Sequence, residues 1–274
     1  MSFKIGFHAE TNDNKTDTTT VVSTPKQEPI RPKKSLVQVY FEERNTSYSY
    51  YNDAFDLKCG DFVWVEGKLE GKRGRVIEVS YNFKIKLSDY KKVIGVADTC
   101  VAGEMNFVGP YFISNDGSMP FSQIRTWFLP PENDDDVEYV RGNDDTVIDI
   151  NDLSSMGISK DAADRGFEYF DNNKVAYIGI DHGECHAIVE GSKPYVVDFT
   201  YKNGEVSNLV CDCFCTGACK HEFAVLLTLR EIIKHIEKNY PHIKIDNDYL
   251  SVVRKVDFFK FAIDSKDTGS FVFG

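Results

Sequence analysis

The stretch VCDCFCTGACKHEFAVLL, residues 210–227, places four thiols and one imidazole within eleven residues and runs straight into an apolar segment. Cysteine is often buried for packing alone, but this density exceeds what packing asks for. Cys211 and Cys213 stand two apart where the strand-like run VSNLV ends. Cys219 and His221 stand two apart where a helix begins. Thr216-Gly217 lets the chain turn back between the pairs, and the N-terminus of a helix favours nearby thiolates. Four nitrogen and sulfur donors in two such pairs suit tetrahedral zinc. The spacing therefore predicts one structural Zn2+ held by Cys211, Cys213, Cys219 and His221. Cys213 and Cys215 form an alternative first pair. The strand leading directly into Cys211 favours Cys211 and Cys213, with Cys215 a spare thiol.

Working outward, HEFAVLLTLREIIKHIEKNY repeats its apolar residues with a period of 3.6 and predicts a long amphipathic helix. Upstream, VAYIGI, HAIVEG, YVVDFTY and VSNLVC read as four strands, with Asn172-Asn173 and Asn203-Gly204 as turn formers. Ser159 is placed to cap a helix whose apolar face carries Ala162, Ala163 and Phe167.

The pattern Cys-x-Cys, spacer, Cys-x-His resembles the SWIM zinc finger over residues about 160–235. The likeness extends to Arg165-Gly166, Tyr169, Val175, the run Ala187 to Ser192, Tyr195-Val196-Val197 and the apolar run Phe223 to Leu227. Many SWIM members have proline after the second cysteine, where this chain has Phe214 and then Cys215. The resemblance implies a binding module for DNA or protein, often attached to nucleic-acid-processing machinery. A G-x-x-x-x-G-K-[ST] phosphate loop is missing: LEGKRGRV (69–76) has its glycines at other spacings.

Residues 35–128 alternate or run apolar in short stretches punctuated by turns, as in LVQVYFEE, SYSYYN, DFVWVEG, RVIEVSYNFKIKL and KKVIGVA. They predict a small β-barrel, with weak likeness to SH3-like or KOW-like barrels over 58–92. YFISNDGSM reads as a hairpin turning at Asp116-Gly117. Residues 58–92 hold nine basic and five acidic residues. Lys68, Lys72, Arg73, Arg75, Lys84 and Lys86 are therefore the candidate nucleic-acid contacts, with Trp64, Tyr48, Tyr50, Tyr51 and Phe83 interleaved for stacking. The bland reading is that the lysines are solvated and the aromatics fill a small core.

The 274 residues carry a formal charge of -11. That acidity opposes broad wrapping of nucleic acid, which needs many cations to displace counterions, but allows one basic face. The cysteines cluster rather than spread as a disulfide framework would, which points to metal and a reducing compartment. With no run of eighteen apolar residues and no secretion-like start, the expected location is cytoplasmic.

The expected fold class is α+β: a flexible leader (1–34), a β-rich barrel-like domain (35–129), an acidic linker (130–158), a zinc finger domain (159–240) and a C-terminal extension packing on it (241–274). From Glu132 through Glu168 there are twelve acidic and three basic residues. SVVRKVDFFKFAI reads as a further helix and FVF as a short strand. His182, Cys185 and His186 are three close donors, but neighbours on a strand face opposite sides, so they read as a turn with one residue buried. Asp134, Asp135 and Asp136 lack the loop pattern of a calcium site. No catalytic constellation is found. The expectation is a non-catalytic zinc protein that binds nucleic acid, or a protein of a nucleic-acid-processing complex. Its alternative is a protein–protein adaptor, in either case with no membrane and no nucleotide cofactor.

Overall fold

The computed structural model describes residues 32–132, 145–243, 245, 249–265 and 269–274. Residues 1–31 of the expected leader, Asp134 to Asp136 and most of the acidic run fall outside these.

Five strands form the first sheet: β1 (Ser35–Phe41), β2 (Thr46–Asn52), β3 (Phe62–Val65), β4 (Arg73–Ser80) and β5 (Val93–Val96). The order is β2-β1-β4-β3-β5, antiparallel throughout. Alternation on β1 buries Val37, Val39 and Phe41 with Tyr50, Val63, Val65 and Val76 in a small core of their own. The expected barrel does not close, and the sheet is open. Its edge strands β2 and β5 meet at a single bridge, Tyr51 with Lys92. Closure requires a continuous ladder between the edges. Here β3 and β5 are four residues each, and Tyr81–Lys86, expected to prolong β4, takes no strand pairing.

The second sheet has nine strands. They are β6 (Ala102–Val108), β7 (Tyr111–Ser114), β8 (Ile148–Asp149), β9 (Val175–Asp181), β10 (Glu184–Glu190), β11 (Pro194–Lys202), β12 (Glu205–Cys211), β13 (Leu250–Arg254) and β14 (Ser270–Phe273). The order is β14-β6-β7-β13-β9-β10-β11-β12-β8. Only β14 with β6 is parallel among these described pairs. Tyr111–Ser114 turns back on β6 through Gly109-Pro110 and pairs with β13, so Asp116-Gly117 closes no hairpin. SVVR is strand β13 rather than helix, and α4 (Lys255–Phe258) follows it, widening into a π-type turn over Phe259–Ile263.

Helices cover both faces of this sheet, which explains why β9 is buried nearly along its length. On one face, α3 (Lys220–Asn239) lays Ala224, Leu227 and Ile232 over Ile178, Ile180, Ala187, Val189 and Val197. Against α3 packs α2 (Lys160–Asp171), capped by the Ser159 hydroxyl, which accepts from the Ala162 amide at 3.3 Å. Gly166 permits this approach: a Cβ there would stand 2.7 Å from Phe223 Cδ1. On the other face, α1 (Phe121–Phe128), α4 and the π-type turn after it bury Trp127, Phe258 and Phe261 against Phe112, Tyr177, Ile188 and Val253. The first sheet docks here too, with the Phe62 and Phe261 rings 5.1 Å apart and the Trp64 indole donating to the Thr126 carbonyl at 2.9 Å.

Candidate metal centre

The hairpin of β11 and β12 carries Cys211 opposite Val197. Beyond it the chain is pinned back to β11: the Asp212 amide donates to the Val196 carbonyl at 3.0 Å, and the Val196 amide donates to Asp212 Oδ1 at 3.1 Å. The turn then delivers Cys219 as the N-cap of α3. The Cys219 thiol accepts from the Glu222 amide at 3.4 Å, and Glu222 Oε2 accepts from the Cys219 amide at 2.8 Å. This is a capping box with sulfur in place of the usual hydroxyl. It fixes Cys219 and His221 at consecutive faces of the first turn, aimed at Cys211 and Cys213.

The four donor atoms of Cys211, Cys213, Cys219 and His221 lie within 4.8 Å of one another. His221 Nδ1 is 3.6 Å from Cys211 Sγ and 3.8 Å from Cys219 Sγ. Zinc bonds of about 2.3 Å to sulfur and about 2.05 Å to nitrogen imply tetrahedral S–N edges of about 3.6 Å, so the donors already stand near the corners of such a site. The protonation chemistry agrees. A hydrogen bond with Cys211 pulls the Cys219 thiol down to about 4 despite burial, and His221 and the Glu222 amide add to this. That same hydrogen bond, with burial, pushes Cys211 up. Burial pushes Cys213 up to about 11. Three crowded thiols cannot all ionise alone, and a divalent cation supplies the missing charge. The residues present fit one structural Zn2+. Among the described residues no other such grouping of donors occurs.

The imidazole is held by rings. Tyr195 stacks on it at 4.2 Å and 20°, and Tyr169 meets it edge-on at 5.4 Å. His221 Nε2 is buried with no hydrogen-bond partner among the described residues. The aromatic clamp thus does the orienting that a second hydrogen bond performs in most zinc-bound histidines. Burial, and then the Cys219 charge, push the Glu222 carboxyl up to about 8. Cys215 lies exposed outside the cluster, and Phe214 between it and Cys213 is 97% exposed.

The other sequence candidates separate. Cys185 is buried in the core, whereas His186 on the opposite face stacks on Phe121 at 4.4 Å and bonds Asp198 at 2.7 Å. His182 sits in the exposed β9–β10 turn at φ 50°. In the basic stretch, Arg73 lies over the Phe261 ring at 4.1 Å, Arg75 donates to the Asp264 carbonyl, and Lys72 pairs with Glu43 at 2.8 Å. Lys68, Lys84 and Lys86 are exposed. Of the interleaved aromatics, Trp64, Tyr50 and Tyr51 are buried, and Tyr48 is exposed. The capping role of Glu222 was readable from the Cys219-x-x-Glu222 spacing. The exposure of Phe214 and the docking of Arg73 carry no local signal.

No family model, curated protein or solved structure matches the chain. The Cys-x-Cys…Cys-x-His cluster itself matches a SWIM-type zinc-finger motif. No helix among the described residues is long and apolar enough to cross a membrane.

Proposed function

We propose that this zinc-braced, non-catalytic module is a docking protein, and that the knuckle turn presents Phe214 to a protein partner. The observation that carries the reading is the 97% exposure of that ring. Phe214 rides on a turn fixed at both ends by Cys211, Cys213 and Cys219, so little ordering entropy opposes its insertion into a partner pocket. A cleft of about 440 Å³ adjoins the turn, lined in part by Ile148, Met156, Leu209 and Ala218. The net charge of -11 supports a protein partner over a polyanion. The three thiolate ligands of the metal site suit a reducing compartment such as the cytoplasm.

The test is a photo-crosslinking residue in place of Phe214, read in the producing cell. A discrete, nuclease-resistant protein adduct that is lost when Cys219→Ser is added supports the reading. A nuclease-sensitive adduct, or none, sinks it.

Nucleic-acid binding is the second reading. It is favoured by Lys68, Lys84 and Lys86, which are exposed and have no acidic partner among the described residues. Titration with single- and double-stranded DNA and RNA at two salt concentrations decides it. Three phosphate contacts would give a log-log slope of roughly -2 to -3.

A further inference from the structure

A narrow cleft of about 70 Å³ lies where β4 of the first sheet meets the helical turn after β13. Five cations line it, namely Arg44, Lys72, Arg73, Arg75 and Lys260, against two acids, Glu42 and Glu43. The lining is therefore net +3 in a protein of net -11.

The acids are spoken for at the rim. Glu42 accepts from Lys260 at 2.6 Å and Glu43 from Lys72 at 2.8 Å, and both carboxylates are largely exposed. Arg75 donates to the Asp264 carbonyl. Arg73 differs. Its guanidinium is packed by Phe261 at 4.1 Å, Trp64 at 5.6 Å and Phe62 at 5.9 Å, measured to the ring centroids. No acceptor within hydrogen-bond or ion-pair distance of it exists among the described residues. Ring faces attract a cation but satisfy none of its five N–H donors in hydrogen bonds. Burial pulls Arg73 down to about 10, even with Asp257, Glu42 and Glu43 opposing. A half-dry guanidinium fork, fixed by rings and left without an acceptor, is a preorganised recognition element for a planar or tetrahedral oxyanion.

We propose that this cleft binds a phosphate monoester, with Arg73 as the forked donor and Lys260 and Lys72 turning from Glu42 and Glu43 to close on the ligand. The surplus of three positive charges matches a dianion better than a carboxylate. The site is independent of the knuckle and of the partner assigned to Phe214.

The test uses the full zinc-loaded chain at low ionic strength in a phosphate-free buffer, titrated with inorganic phosphate and followed by calorimetry and phosphorus NMR line width. Saturable binding at one site is expected. Arg73→Gln should weaken it by at least roughly tenfold, the scale of one charge-assisted hydrogen bond. Lys260→Gln should weaken it several-fold, and Lys238→Gln, exposed on α3 and outside the cleft, should leave it unchanged. Far-UV circular dichroism and the melting transition report whether Arg73→Gln folds. If it does not, the contrast between Lys260→Gln and Lys238→Gln decides. A phosphoserine peptide binding more tightly than free phosphate assigns the source to a phosphorylated protein, and parity assigns it to a small phosphate ester. Binding that never saturates, or equal losses in Lys260→Gln and Lys238→Gln, overturns the proposal.

Discussion

The Tyr195 ring lies flat on the His221 imidazole, with centroids 4.2 Å apart and planes 20° from parallel. Tyr195 belongs to β11, and its hydroxyl is tied to Ser192 at 2.9 Å, so the clamp is anchored in the sheet rather than in the knuckle. An aromatic pair of this kind contributes about 0.5–1.5 kcal/mol beyond area burial. Tyr195→Leu should therefore weaken zinc binding by roughly three- to tenfold, measured by competition with a chromophoric chelator. Unchanged affinity would show that the imidazole is oriented without the ring.

Cys219 serves as ligand and as helix cap together. Cys219→Ser should abolish stoichiometric zinc and lower the melting temperature, while Cys215→Ser should keep about one zinc per chain by elemental analysis. Chelation of the wild type should loosen the first turn of α3 before the rest, because ligation and capping meet at one sulfur. Hydrogen exchange at Lys220 to Ala224 reads this directly. Equal zinc loss in the two variants would reassign the first pair to Cys213 and Cys215.

Asp116 accepts hydrogen bonds from the Ser114 hydroxyl at 2.6 Å, the Glu104 amide at 2.8 Å and the Ser118 amide at 2.9 Å, and from the Ser118 hydroxyl. Burial opposes the charge, but these bonds win and hold the carboxyl down near about 2. A depressed acid adds stability that is complete above its unfolded value and is lost as pH falls through the folded one. The carboxyl is largely exposed, so solvent screening reduces the contribution to on the order of 1 kcal/mol. Asp116→Asn should be less stable than wild type by that amount at neutral pH, and the gap should close between about pH 4 and pH 2 in denaturant titrations. A gap independent of pH would point to lost hydrogen-bond geometry instead.

A cut introduced between Pro131 and Asp145 should not release two pieces. Ser114 pairs with Ser251 and Tyr111 with Arg254 across that gap, and Trp127 packs on Phe261. The nicked chain should elute as one species and separate only in denaturant. Two independently folded fragments in native buffer would place the boundary in the acidic run after all.

The metal site was legible because it is local: two pairs of donors, a turn and a helix start lie within eleven residues, and the helix periodicity is unbroken. The four strands before it were legible through their apolar runs and asparagine turns, with Asn173 and Asn203 both adopting positive φ. The first sheet's openness was not legible. Val93–Val96 reads the same whether or not its free edge finds β2, since that depends on curvature rather than composition. SVVR was hidden for a related reason. So short a stretch, with only Leu250, Val252 and Val253 apolar before Arg254, fits strand or helix, and only its neighbours β7 and β9, from distant sequence, select the strand. Arg73 looked like a surface contact because nothing beside it in sequence announces Phe261.

The position of β13 also sets the order of events during synthesis. Leu250–Arg254 lies between β7 and β9, so an interior strand of the nine-stranded sheet is supplied by a segment synthesised after β6 to β12. Until it emerges, Tyr111–Ser114 and Val175–Asp181 present two apolar edges with no strand to join them. The zinc knuckle and α3, finished earlier, can already hold β9 to β12 together. The nascent protein is then a metal-closed half waiting for a strand. A chain stopped at residue 248 should consequently retain zinc yet be captured by chaperones or precipitate, and one extended to residue 263 should not.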